Sequence, residues 1–398
     1  MTNLLLIAIP IFRETLGSIL APLRFIFAFA LICQVNMANS ETIDVWFGTE
    51  TPRDGLSQGI YHATLNTETG KLSTAELAAQ LGSPGFLALH PQQQVLYSIG
   101  RVDNVPSVTA FRIGSRSGES LERIGVQPVG DGGATHLAVD ATGSILLTAQ
   151  YGAGSTALFP LTEDGNVLPR QQLLKHEGGS GVVERRQDAS HAHWVGYSPD
   201  NRFAFVPDLG LDQVVIYRLD DPQTPSKLSP HGFGKCPPGS GPRHMKFAPD
   251  GKRIYVLNEL ASSVTVFDYD SDAGTMHPLQ TIAALSEQQK AGEVMNSASE
   301  IHVHPSGRFV YSANRGHDTI SRFAVEESTG TLQLLGHTPI RGGFPRNFNI
   351  DPSGRWLLAA GRDSHTIAVF QVDAESGQLR YMREMIMVPY PICVLFGT

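Results

Sequence analysis

The stretch "GPRHMKFAPDGKRIYVLNELASSVTVFDY" (residues 241–269) holds three short runs of alternating apolar and polar residues. The first two meet at Pro249-Asp250-Gly251 and read as a β-hairpin. The third, "SVTVFDY" (263–269), reads as a further strand with an aromatic near its end. That third run recurs along the chain as "GIYHATL" (59–65), "SVTAFRI" (107–113), "STALFPL" (155–161), "QVVIYRL" (213–219), "TISRFAV" (319–325) and "TIAVFQV" (366–372). The aromatics Tyr61, Phe111, Phe159, Tyr217, Phe267, Phe323 and Phe370 follow one another at intervals of 50, 48, 58, 50, 56 and 47 residues. A fixed period of this length marks a repeat architecture.

Each of the later six copies follows a hairpin whose turn resembles Pro-x-x-Gly: "LHPQQQVLYSIG" (89–100), "VDATGSILLTAQ" (139–150), "YSPDNRFAFVPD" (197–208), "FAPDGKRIYVLN" (247–258), "VHPSGRFVYSAN" (303–314) and "IDPSGRWLLAAG" (350–361). Many copies then run through an acidic or Ser/Thr-Gly turn into Leu, as in "ESTGTL" (327–332). Beyond residue 40, helical periodicity is confined to a short run near 285–292. Four short strands per repeat without crossover helices predict antiparallel sheets. Seven of them predict an all-β, seven-bladed β-propeller of four-stranded antiparallel blades, whose radial closure leaves few exposed edges. The missing seventh hairpin is supplied by the ends: "PICVLF" (391–396) resembles its first strand and "IDVWFGTE" (43–50) its second. Residues 41–398 are therefore expected to form one domain, its last blade closed by both termini.

The start of a hairpin's first strand lies beside the end of its second. Arg243 and Glu259 straddle the turn and are expected to meet at the open end, which in a propeller faces the mouth of the central channel. The same register in the seven blades selects Gly85, Thr135, His193, Arg243, Ser299, Arg346 and Ile392, then Phe86, His136, Trp194, His244, Glu300, Asn347 and Cys393. With Arg101, Asp208, Glu259, Arg315 and Arg362 from the second strands, the third to sixth blades bring His193, Asp208, Arg243, His244, Glu259, Glu300, His302, Arg315 and Arg346 towards one rim. Asp208 and Arg362 read as structural. Such a mixture of acids, bases and cations in a concave setting is where perturbed pKa values and catalysis arise. The Gly-rich "GGSGVV" (178–183) lacks the Lys and the helix of a phosphate loop.

The composition narrows the partners. A net charge of −8 over 398 residues argues against nucleic acid and anionic membranes, which favour basic faces. The cysteines Cys33, Cys236 and Cys393 show no Cys-x-x-Cys spacing. In residues 1–38, Arg24 precedes the apolar run "FIFAFALIC" (25–33) and small residues follow near 36–40, as in a secretory signal; the run is too short to span a bilayer. An exported mature chain without membrane integration is expected, retaining two cysteines that allow one disulfide. The alternative is a mis-assigned start or a buried N-terminal helix, and a cytoplasmic protein.

Over nearly all of 41–398 the chain resembles the seven-bladed propeller lactonases, the family of bacterial 6-phosphogluconolactonase and the fungal carboxy-cis,cis-muconate cyclases. The resemblance is densest in "HAHWVGYSPDNRFAFVPDLGLDQVVIY" (191–217), "GPRHMKFAPDGKRIYVLNELASSVTVF" (241–267), "SEIHVHPSGRFVYSANRGHDTISRF" (299–323) and "FPRNFNIDPSGRWLLAAGRDSHTIAVF" (344–370). It implies a catalytic set of His193, Arg243, Glu259 and Arg315. It also implies substrate contacts at His191, His244, Glu300, His302 and Arg346, and a small-molecule lactone as substrate. The expected reaction is hydrolysis of a sugar-acid lactone; the alternatives are a muconate-type lactonising cyclase and a non-catalytic binding scaffold. Hydrolysis needs a base, which is Glu259 or His193, and cations for the oxyanion, for which Arg243 and Arg315 serve. No cofactor or metal is expected; were a divalent ion used, Glu259, Glu300 and Asn258 are the ligands at hand.

Overall fold

The computed structural model describes residues 42–114 and 120–397; the leader read over 1–38 and Cys33 lie outside them. Among the described residues seven four-stranded antiparallel sheets follow one another. We number the blades from Leu87–Leu89, the innermost strand of blade 1. In blade 4 the strands Pro242–Phe247, Arg253–Asn258, Ser263–Asp270 and Thr275–Ala283 lie in chain order from the channel outwards. The seventh blade combines Pro391–Phe396 with Thr42–Thr49, Gly59–Asn66 and Glu76–Gln80. The run near 285–292 forms a five-residue helix, Glu287–Ala291, capped by Ser286 and Gln289. It occupies the long 56-residue interval between Phe267 and Phe323.

The third strands carry the repeat aromatics, of which Tyr61 is half-buried. Phe111, Phe159, Tyr217, Phe267, Phe323 and Phe370 are buried in the apolar layers between neighbouring blades, where side chains of period 2 interdigitate. Cys236 and Cys393 are free thiols in two separate layers, so the disulfide allowed by the cysteine count does not form. Burial pushes both thiols up to about 12, which leaves neither a nucleophile at neutral pH.

One backbone device sets the site. In blades 2, 4, 5, 6 and 7 the innermost strand breaks register where it reaches the mouth, with one extra residue opposite the second strand. In blade 4, Pro242 pairs with Asn258 and His244 with Leu257, leaving Arg243 as the extra residue. Thr135, Arg346 and Ile392 hold the same place in blades 2, 6 and 7, and blade 5 has its break between Ala298 and Ile301. Such bulges re-aim side chains. The bulge places Arg243 and Arg346 on the mouth. The next residue of each blade, from Phe86 through His136, Trp194, His244, Glu300 and Asn347 to Cys393, belongs to a ring across the channel, with all but Phe86 buried.

Candidate active site

Glu259, just past the strand Arg253–Asn258, is the hub of the mouth. Its backbone N–H donates to the carbonyl of Gly241 at 2.7 Å. Its Oε2 accepts from Nε of Arg243 at 3.0 Å and faces Nη2 of Arg315 at 3.2 Å, while Oε1 accepts from Nη2 of Arg186 at 2.6 Å. Burial by itself would raise this carboxyl, but the Arg315 and Arg243 charges and the hydrogen bond from Arg186 outweigh it and hold Glu259 well below the usual carboxylate range. A carboxylate so clamped is a poor proton acceptor at neutral pH. Of the two candidate bases the sequence left open, Glu259 is thus the one held ionised, and His193 stands beside it.

His193 stands with Nε2 3.7 Å from Oε2 of Glu259. Its Nδ1 is buried with no hydrogen-bond partner. With the Nε2 proton turned to Glu259, Nδ1 presents a lone pair. Burial, and then the Arg243 charge, push the ring well below the ordinary histidine value, so it is neutral across the physiological range. Burial and Arg315 likewise draw Arg243 down to about 9, and burial draws Arg315 down to about 10; both remain cations.

A recess of about 190 Å³, open to solvent, is lined by His193, Arg243 and Arg346 together with Ser83, Phe86, Arg101 and Thr135 among others. Arg346 and Arg362 share Glu50 at 3.7 and 3.8 Å, and the guanidinium of Arg362 stacks 4.0 Å over the ring of Phe344. With Arg101, Arg186, Arg243 and Arg315, these make six arginines around a mouth that contains few acids, a setting for a negatively charged ligand.

The residues expected at one rim divide into levels. His193, Arg243, Glu259, Arg315 and Arg346 are at the mouth. His191 lies at its edge, stacked on Tyr151 with ring centroids 4.4 Å apart and Nδ1 bonded to the Tyr151 carbonyl. His244 and Glu300 lie beneath Arg243, joined at 2.9 Å, and neither lines the recess. His302 is deeper again: two residues further along its strand is about 7 Å, and it packs edge-on against Phe348. Burial and Lys246 lower it to about 3. Strand period accounts for this correction, since successive residues on one face descend the channel instead of sharing a rim. Asp208 is structural, accepting from His176 at 2.6 Å and from the backbone of His191.

Arg186 was not foreseen. It comes from the 176–191 segment, and the "GGSGVV" part of that segment folds as a loop that ties back to Gly210 and Gln187. The 58-residue interval between Phe159 and Tyr217, the longest of the seven-copy series, was the available signal that an insertion reaches over the mouth. Of the suggested metal ligands, both Glu259 oxygens face arginines and both Glu300 oxygens accept hydrogen bonds, while Asn258 donates through Nδ2 to Ser263 and Thr265 and keeps a buried Oδ1 without a partner. Among the described residues no three His, Cys, Asp or Glu side chains gather as a metal site.

Comparison with known proteins gives this geometry a family. Residues 44–396 match the model of the seven-bladed β-propeller lactonases. The chain is 35% identical over 351 residues to the 6-phosphogluconolactonase of Bacillus subtilis, covering 88% of this chain and 97% of that one. It is 32% identical to the 6-phosphogluconolactonase of Formosa agariphila, over 73% of this chain and 82% of the relative. Among solved structures, the periplasmic gluconolactonase of Pseudomonas aeruginosa superposes with a TM-score of 0.82 at 31% identity, covering 90% of this chain and 99% of its own. With a neutral histidine, a clamped glutamate and an arginine-lined mouth on this scaffold, the chain belongs to the seven-bladed β-propeller lactonase family and is a lactonase.

Proposed function

We propose that this lactonase opens the lactone of a sugar acid, with His193 as the base and Arg243 and Arg315 as the oxyanion cations. The observation that carries the reading is the pairing of a neutral His193, its Nδ1 unpartnered, with a Glu259 held ionised by three arginines. A water attacks the lactone carbonyl carbon and the neutral His193 ring takes its proton. The new oxyanion lies against the Arg243 and Arg315 guanidinium groups, and Glu259 stabilises the imidazolium. The tetrahedral intermediate then collapses: the bond from the carbonyl carbon to the ring oxygen breaks, and that oxygen takes the proton back from His193. The product is the open-chain acid.

The rim arginines Arg101, Arg346 and Arg362 suit an anionic group at the far end of the substrate. The relatives named 6-phosphogluconolactonase support a 6-phosphate there. Export is proposed on the reading of residues 1–38 as a leader, supported by the resemblance to a periplasmic gluconolactonase. A pH-stat assay of the chain from residue 39 tests the reaction on 6-phosphogluconolactone and gluconolactone. Acid release above the spontaneous rate that disappears in His193→Ala is the expected result. No acceleration with either lactone overturns the reading. Mass spectrometry of the N-terminus tests export: a cytosolic chain with residues 1–38 intact removes it.

A further inference from the structure

Arg243 has five N–H donors, and the fold divides them unequally. Its Nε donates to Glu259 at 3.0 Å. Its Nη1 donates to the carbonyl of Ser299 and, at 3.0 Å, to Nε2 of His244. Among the described residues Nη2 has no protein acceptor, so both its hydrogens remain for a ligand in the recess that Arg243 lines. A guanidinium only donates, so Nε2 of His244 must be bare and Nδ1 must carry the proton, which it gives to Oε1 of Glu300 at 2.9 Å.

Glu300 has no freedom in this arrangement. Its Oε1 also accepts the Ile301 N–H at 2.9 Å, and its Oε2 accepts from Nδ2 of Asn347. The Asn347 amide cannot turn over, because its Oδ1 accepts the Val394 N–H at 2.8 Å. Three donors from three blades thus face one side chain that accepts on both oxygens. His244 and Glu300 are 0% and 2% exposed, so water does not replace either contact.

We propose that Glu300 and His244 are positioning residues: the Glu300 carboxylate fixes the Nδ1–H tautomer of His244, and the bare Nε2 of His244 fixes the rotation of Arg243 that aims Nη2 at the substrate carbonyl. Both residues thereby act through Arg243 and not by touching the lactone. The kinetic part of this inference rests on the lactonase reading; the tautomer does not.

Glu300→Gln is the decisive variant. Asn347 cannot turn over, so the new amide keeps its oxygen towards Asn347 and turns its NH2 towards the Ile301 N–H and Nδ1 of His244. His244 escapes by moving its proton to Nε2, which then points at Arg243. The expected result is a fall in kcat on the order of 10²-fold, the usual cost of one oxyanion donor, with KM held within about threefold. In 15N-histidine NMR spectra His244 is expected as the Nδ1–H tautomer in the wild type and the Nε2–H tautomer in Glu300→Gln. His244→Gln, whose amide oxygen replaces Nε2 as acceptor, is expected to retain more kcat than His244→Leu. A raised KM at unchanged kcat makes Glu300 a substrate contact and overturns the proposal, as does an Nε2–H tautomer in the wild type. If the wild type opens no lactone, the lactonase reading falls, while the two NMR spectra still decide the positioning geometry.

Discussion

Nε2 of His193 faces Oε2 of Glu259 across 3.7 Å, and that carboxylate is shared with three arginines. Glu259 is consequently a weak base, and in the proposed mechanism it stabilises the imidazolium that forms beside it. His193→Gln is expected to lower kcat by about 10²–10⁴-fold, the usual contribution of a general base. Its melting temperature should stay near the wild-type value, because Nδ1 makes no bond in the resting protein. The depressed His193 value also predicts kcat/KM that is flat from slightly acid to neutral pH. An acid limb centred on the ordinary histidine value of about 6.5 would remove His193 as the base.

Glu259→Gln tests the other half of the pair. The substitution leaves buried Arg243 and Arg315 without their counter-ion, and breaking such a pair costs about 3–5 kcal/mol. Chemical denaturation is expected to show a loss of that size together with a large fall in kcat. A variant as stable as the wild type means that the arginines find other partners and that Glu259 does not organise the mouth.

The ring of blades was legible because strand period, turn chemistry and the spacing of seven aromatics all repeat, and each repeat buries the same face. The mouth was legible as far as hairpin register reaches: Arg243 opposite Glu259 follows from counting back from Pro249. Two things were not. The bulge at Arg243 turns adjacent residues into a mouth residue and a floor residue, and nothing in "PRHM" distinguishes that from regular alternation. Arg186 reaches Glu259 from 73 residues away through a loop, a contact with no local pattern.

Stability should depend on pH through the channel histidines. His136, His193 and His244 are held well below the ordinary histidine value and His302 at about 3, in each case chiefly by burial. Below about pH 6.5 the unfolded chain binds protons at these sites and the folded chain does not, so stability falls as pH drops. Glu259, depressed in the fold, adds a further loss below about pH 4.5 as the unfolded carboxyl protonates. Denaturation between pH 7 and 4 is expected to show net uptake of more than one proton on unfolding. Constant stability over that window contradicts neutral, buried histidines.

The rim arginines should sort substrates by charge. Arg346 lines the recess and reaches Glu50 only at 3.7 Å, a half-exposed contact of little strength. Arg346→Ala is expected to raise KM for a phosphorylated lactone about tenfold or more and to leave KM for the plain lactone little changed, with the difference shrinking at high salt. Equal effects on both lactones place the anionic group elsewhere.

The closing strand Pro391–Phe396 pairs with Thr42–Thr49 from Val45↔Phe396 to Thr49↔Pro391. It buries Ile392, Val394 and Phe396. Its loss exposes the edge of a strand that carries Trp46 and Phe47, both 1% exposed or less in the intact ring. It also removes the Val394 N–H that orients Asn347 and the Val394 carbonyl that accepts from Asn349 at 2.9 Å. Blades 6 and 1 would then face an open gap, and a propeller derives its protection from closure. Deleting 391–398 is therefore expected to lower the melting temperature by well over 10 °C or to abolish a single cooperative transition, since several kcal/mol of buried apolar surface go with it. The same deletion should abolish activity, because Glu300 loses the oriented Asn347 beside it. A truncated chain that melts with the wild type shows that the other six blades stand without closure.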